Sequence, residues 1–234
     1  MLMLWAAAAF FLGIHLIISG TPLRDRLVGA MGEGPYRGFF SLLSLAGIVW
    51  LCWSYNMALE GPNELHWVTP DGLKHAAPLL ILLAFLIGVI GLTTPNPTSV
   101  GAEGLMENPG TVKGILRITR HPFLWAVIIW GLTHMAMNGD EASLIFFGTF
   151  TLLAALGTLS IDAKRKRLYG ESWKSFVATT SNLPFAAIFA GRNKLAIGEL
   201  GWWRILAALV AFGALFYAHL WLFDVTPVPG WYPY

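Results

Sequence analysis

Six apolar stretches, each close to the length that crosses a bilayer, constrain this chain more than any other feature. Spanning about 30 Å of hydrocarbon takes about 20 apolar residues at ~1.5 Å rise each. The stretches run over 2–19, 38–58, 76–92, 123–137, 143–159 and 205–223. Unpaired backbone groups are costly in lipid, so the pattern predicts an all-α, polytopic integral membrane helix bundle with about six transmembrane helices. Composition agrees: 56% of the 234 residues are hydrophobic and 12% are charged, against about 25% charged in a soluble domain. The first stretch has no basic residues before it and no small-x-small cleavage pattern, and is expected to be a retained span. With no internal repeat or low-complexity tract, one membrane domain over 1–234 is expected.

Charge placement gives an orientation. Arg24, Arg26 and Arg37 follow the first stretch; Lys113, Arg117 and Arg120 follow the third; the remaining basic residues from Lys164 to Arg204 lie between the fifth and sixth. Fourteen of the fifteen Lys and Arg therefore fall in alternate loops, and Lys74 alone falls on the other side. The positive-inside rule then predicts that both termini face away from the cytoplasm, as in a bacterial inner-membrane protein. Basic residues so distributed form no nucleic-acid surface, and membrane lipids are the expected partners. The single cysteine, Cys52, excludes a disulfide framework and any cysteine-based metal site within one chain.

Turn chemistry marks the connections. Pro62, Pro70 and Asp71-Gly72 break the second loop, and Thr94-Pro95-Asn96-Pro97 and Asn108-Pro109-Gly110 the third. Residues 111–120 are expected to form an interfacial helix that runs through Arg117 and Arg120 into the fourth span, with Pro122 at a first helical position. Residues 182–191 are too short to span and are expected to form a re-entrant or surface-lying turn.

The chemistry rests on six histidines: His15, His66, His75, His121, His134 and His219. His66 and His75 fall in or beside an outer loop. His121 precedes Pro122 at the basic mouth of the fourth span. It lies thirteen residues from His134, about 20 Å along a helix and about 140° around it, too far for one compact site. His15, His134 and His219 lie within spans, where an ionisable side chain faces the bundle interior and needs a partner. A backbone carbonyl on a neighbouring span is one such partner. A haem iron is another, taking neutral imidazoles in a dry aromatic pocket. Counted from the nearest basic rim residue, His134 and His219 match best in depth, and His15 differs from His134 by about 7 Å. The guanidinium forks of Arg24, Arg26, Arg37, Arg117 and Arg120 suit haem propionates and phospholipid headgroups alike.

At these residues the chain resembles the NnrU family of bacterial membrane proteins and its plant and cyanobacterial relatives, the 15-cis-zeta-carotene isomerases. The resemblance is carried by His15 with Leu23-Arg24 and Tyr36-Arg37, by the run from Gly114 through Arg117-Ile118-Thr119-Arg120-His121-Pro122, and by Trp130 and His134. Tyr169-Gly170-Glu171, the run from Leu183 to Arg192, and Ala218-His219 extend it over nearly the whole chain. It implies a six-span protein that binds haem b, with His15 and His134 as axial metal ligands. Arg24, Arg37, Arg117, Arg120, His121 and His219 are then candidate cofactor-binding residues. It also implies action on a lipophilic polyene by cis-trans isomerisation, or a role in nitrite and nitric oxide metabolism. The sequence departs at Gly131, where the isomerases carry a cysteine.

Two other classes are open. Arg120-His121-Pro122, the charged run 162–167, Tyr169-Gly170 and Trp173 echo membrane methyltransferases of the isoprenylcysteine and phospholipid type, in which Arg120 and His121 hold the methyl donor. A non-catalytic assembly factor for nitric oxide reductase also fits. The spans carry no acidic residue, so a proton-coupled carrier would lack its carboxylate relay.

Overall fold

The computed structural model describes residues 1–99, 101–108 and 110–228. Its helices are α1 (Leu2–Gly13), α2 (Leu23–Met31), α3 (Glu33–Glu60), α4 (Asp71–Thr93), α5 (Ile115–Ile118), α6 (Pro122–Asn138), α7 (Glu141–Thr179), α8 (Ala186–Phe189) and α9 (Trp202–Phe223). Five segments are long and apolar enough to cross a membrane: Leu2–Ser19, α3, α4, α7 and α9. α6, at 17 residues, rises about 26 Å and completes the expected six. Large apolar side chains such as Leu42, Val49, Trp53, Leu79 and Leu132 remain exposed along these helices. An apolar surface of that extent is stable against lipid tails and not against water.

Several expected boundaries move, each for a local reason. Residues 111–120 do not form a helix that runs into the fourth span; only the single turn of α5 is helical. Gly114 at φ +55° interrupts it before, and Thr119 at φ −152° extends the chain after it. α6 therefore starts afresh at Pro122. The fifth span continues as α7 well beyond residue 159, through the charged run, and bends at Gly170, whose φ of +45° favours glycine. The loop after the first span holds α2, which the sequence pattern did not announce. The segment 182–191 contributes only α8, lying against α5, with Leu183 and Phe189 exposed.

The long helices pack in a chain of neighbours. α3 and α1 pack on each other and on α7, α7 packs on α6, α6 on α4, and α4 on α9. Lipid supplies no hydrophobic drive for this, so close backbone approach through small residues does. A Cβ added to Gly91 of α4 would lie 2.8 Å from the Pro122 ring of α6. A Cβ on Gly131 of α6 would overlap Thr151 Oγ1 of α7 and stand 3.1 Å from Phe147 O.

The end of the bundle away from the basic residues is closed by polar caps. Asp140 accepts from the Ser143 amide at 2.9 Å and from Asn63 Nδ2 at 2.8 Å, and Asn63 Oδ1 accepts from the Ala142 amide at 3.0 Å. Thr69 Oγ1 and Trp67 Nε1 donate to carbonyls of the last turn of α6. These bonds satisfy helix-terminal groups that have no partner within the helix.

Because the proline ring facing Gly91 is rigid, Gly91→Ala must displace α6 from α4. Overpacking of this kind costs about 1–3 kcal/mol. Thermal unfolding of the detergent-purified protein is expected to show a lower midpoint for Gly91→Ala and an unchanged one for Gly72→Ala, whose Cβ meets nothing within 4 Å.

Candidate functional site

At the basic end a short run of residues is held by bonds from both sides. The Arg120 amide donates to Ser181 O at 2.9 Å, the Phe185 amide to Ile118 O at 2.8 Å, and Thr119 Oγ1 to Asn182 O at 2.6 Å. From the opposite side, Asn96 Nδ2 and Thr98 Oγ1 both donate to Arg120 O at 3.0 Å. Fixed in this way, Arg120 and His121 converge on Asp162 of α7. Arg120 Nε donates to Oδ1 at 2.9 Å, its Nη2 donates to Oδ2, and His121 Nε2 lies 2.7 Å from Oδ1. His121 is 2% exposed. Burial makes each of these charges expensive unless it is paired, and a shared carboxylate with two donors meets that requirement.

The other rim arginines are also committed. Arg117 forms a two-point pair with Glu199, through Nε at 2.7 Å and Nη2 at 2.9 Å, and donates from Nη1 to Asn193 Oδ1 at 2.7 Å. These bonds to Arg117, with another from the Gly114 amide, hold the Glu199 carboxyl down to about 2, from an ordinary value of 4.5. Arg24 and Arg37 both donate to Glu33 Oε1, at 2.7 and 3.0 Å. Arg24, Arg37, Arg117 and Arg120 thus each face a carboxylate.

Among the histidines within spans, His15 sits in a π-helical turn, Ile14–Ser19, that continues α1. Such bulges occur often at functional positions. Its Nδ1 donates to Phe11 O at 2.8 Å, and its Nε2 lies 3.5 Å from Ser44 Oγ. His134 repeats the arrangement on α6, its Nδ1 donating to Trp130 O at 2.8 Å. In both rings the proton is thereby placed on Nδ1 and the lone pair on Nε2, the nitrogen a metal takes.

The two residues that receive these bonds meet a single side chain. Phe11 and Trp130 both pack edge-on to Phe150 of α7, with ring centroids 5.6 and 5.8 Å apart. Each histidine bends back toward the start of its own helix, as helical side chains do. α1 and α6 both pack on α7, and Phe150 links the two histidine-bearing helices there. Phe40 lies edge-on to His15 at 5.3 Å, and Phe147 stacks on His134 at 4.6 Å. His219 on α9 is within electrostatic reach of His134, and its Nδ1 donates to Val225 O at 2.7 Å.

This donor set suits haem better than a bare metal ion. Among the described residues no three His, Cys, Asp or Glu side chains group as a protein-held ion requires. Haem brings all but two of its iron's ligands and asks the protein only for a pair of imidazoles with apolar, aromatic walls. The contact of Gly131 with Thr151 leaves no room at this position of α6 for a cysteine side chain. Phe150 and Glu199 do not stand out in the sequence, and Asp162 is read there only as the start of a charged run. The signal for Asp162 was present: a lone carboxylate at the end of an apolar stretch needs a partner.

The NnrU protein family model matches residues 3–227. The chloroplastic 15-cis-zeta-carotene isomerase of Arabidopsis thaliana is 38% identical over 176 residues, covering 74% of this chain and 47% of that protein. The Zea mays protein of the same name is 35% identical over 175 residues, covering the same shares of each chain. The chain therefore spans about half the length of these relatives. No solved structure matches it.

Two outcomes test the basic end. Asp162→Asn leaves Arg120 without its counter-charge, which costs about 3–5 kcal/mol when a buried pair is broken; the unfolding midpoint should fall well below that of Lys174→Gln at the exposed end of α7. Glu199, with its folded value depressed, stabilises the protein fully above its ordinary value of 4.5, and that contribution is lost as pH falls through about 2. Glu199→Gln should flatten this part of the acid-unfolding profile and leave the difference between pH 5 and pH 7 unchanged.

Proposed function

Because this chain belongs to the NnrU family, we propose that it holds haem b between His15 and His134 and acts on a cis double bond of a lipophilic polyene. The observation that carries the reading is the matched fixing of the two rings. Each donates Nδ1 to the carbonyl one turn earlier, and those two residues meet on Phe150. The relatives' name, 15-cis-zeta-carotene isomerase, supplies the reaction class. When bound, haem would supply an iron centre able to engage an alkene or nitric oxide.

The chain's own residues do the rest. Phe11, Trp130 and Phe150 present aromatic faces that exclude water and suit a conjugated hydrocarbon. The carbonyls of Phe11 and Trp130 fix the tautomer and orientation of His15 and His134. Arg120 and His121, both bound to Asp162, set the start of α6 and therefore the position of His134 along it. That commitment to Asp162 also weighs against the methyl-donor reading, in which the two side chains would hold a cofactor. We read the basic end as the cytoplasmic face of a bacterial inner membrane, from the positive-inside rule.

A second ligand pair has one observation in its favour: His219 lies within electrostatic reach of His134. Absorption spectra of the detergent-purified protein, oxidised and reduced, beside His15→Ala, His134→Ala and His219→Ala, separate the two. Sharp low-spin bands are expected in the parent protein and in His219→Ala, and their loss in the other two. Loss in His134→Ala and His219→Ala instead would assign the second pair, and a parent protein that takes up no haem on reconstitution would overturn both. The polyene reading is checked by following a cis-carotene to its all-trans form by chromatography with the reduced protein.

A further inference from the structure

A cleft of about 400 Å³ opens at the basic end between the last residues of α4 and the first turn of α9, apart from the histidines within the bundle. Thr94, Pro95, Leu105, Thr111, Lys113 and Arg204 line it, with Glu199 at one side. Its charge is positive in effect. The Glu199 carboxylate is paired with Arg117 and the Gly114 amide and is also within reach of Lys113, and the two cations Lys113 and Arg204 outnumber it in the cleft lining.

Arg204 is the informative residue. Its Nε is buried and has no hydrogen-bond partner among the described residues, and its Nη1 reaches only Leu200 O, at a long 3.5 Å. That buried nitrogen without an acceptor carries a desolvation cost that nothing among the described residues returns. The guanidinium is also held in place, since its Cζ lies over the Trp203 ring at 5.0 Å. The N-terminus of α9 begins beside it at Gly201 with no side-chain cap, which adds partial positive charge to the same spot. Trp202 and Trp203 remain 76% and 46% exposed at this point, as tryptophans do at headgroup depth.

We propose that this cleft is a binding site for a phosphate-bearing anion, held by Arg204 and Lys113 and reached from the membrane surface. A guanidinium fork, an ammonium and a free helix N-terminus together match a phosphate with a net negative charge. An anionic phospholipid headgroup and free phosphate share that chemistry. The flanking tryptophans, the apolar side chains of Pro95 and Leu105, and the exposed faces of α4 and α9 beside the cleft favour the lipid.

The test is native mass spectrometry of the full chain in detergent, titrated with dioleoylphosphatidylglycerol or dioleoylphosphatidylcholine, alongside thermal unfolding with inorganic phosphate. Retention of phosphatidylglycerol at least tenfold over phosphatidylcholine is expected. It should fall at least tenfold in Arg204→Gln and in Lys113→Gln, and be unchanged in Lys174→Gln. Lys113→Gln, a loop substitution, gives the answer even if Arg204→Gln does not fold. A midpoint raised by inorganic phosphate in the parent but not in Lys113→Gln, without lipid preference, keeps the phosphate site and makes its source a free anion. Equal retention of both lipids with no effect of phosphate, or variants that behave as the parent does, would overturn the proposal.

Discussion

The carboxylate of Asp162 stands where the apolar part of α7 gives way to its charged part, and much of the bundle's geometry follows from the need to pair it. Arg120 and His121 are the groups that reach it, and both lie in the extended stretch between α5 and α6. Pairing them fixes where α6 begins, because Pro122 is the next residue and takes the first helical position. From that start, α6 seats the Pro122 ring against Gly91 of α4 and its own Gly131 against Thr151 and Phe147 O of α7. His134 is carried to its depth by the same register. A buried ion pair is weak support for stability as such; here it sets the position of one helix against two others.

The histidines show one local rule acting in different surroundings. An imidazole on a helix readily donates to the carbonyl four residues earlier, and His15, His75 and His134 all do so. At His75, in the exposed first turn of α4, the bond has no further consequence. At His15 and His134 the accepting carbonyls belong to Phe11 and Trp130, which both pack on Phe150, and Nε2 is left with the lone pair that the proposed haem would take. The difference lies in what surrounds the ring.

The basic residues divide by structural role, although they read alike in sequence. Arg165 donates to Ser99 O at 3.0 Å. Arg192 donates to three carbonyls at the end of α7, and Arg117 clamps Glu199. These side chains satisfy backbone and carboxylate groups at the membrane boundary, where water is scarce and an unmet acceptor is costly. Arg204 alone is described with a buried nitrogen that lacks a partner while lining a cleft.

The helical, membrane-spanning character and the approximate number of long helices were legible from sequence alone, since both depend on solvent and on length along the chain. His15, His134 and His219 were legible because an ionisable group in an apolar stretch is conspicuous without coordinates. The break at Thr119, the reach of α7 past residue 159, and the meeting of Arg120, His121 and Asp162 were not legible. They depend on which distant segments lie beside one another: the bonds from Asn96, Ser181 and Asn182 override the helical tendency of residues 111–120. The same holds for Phe150, which looks like any other lipid-facing aromatic until α1 and α6 are packed on either side of α7. Propensity and periodicity act over one or two turns, whereas the pairing of buried charges and the meeting of aromatic rings are settled between segments tens of residues apart.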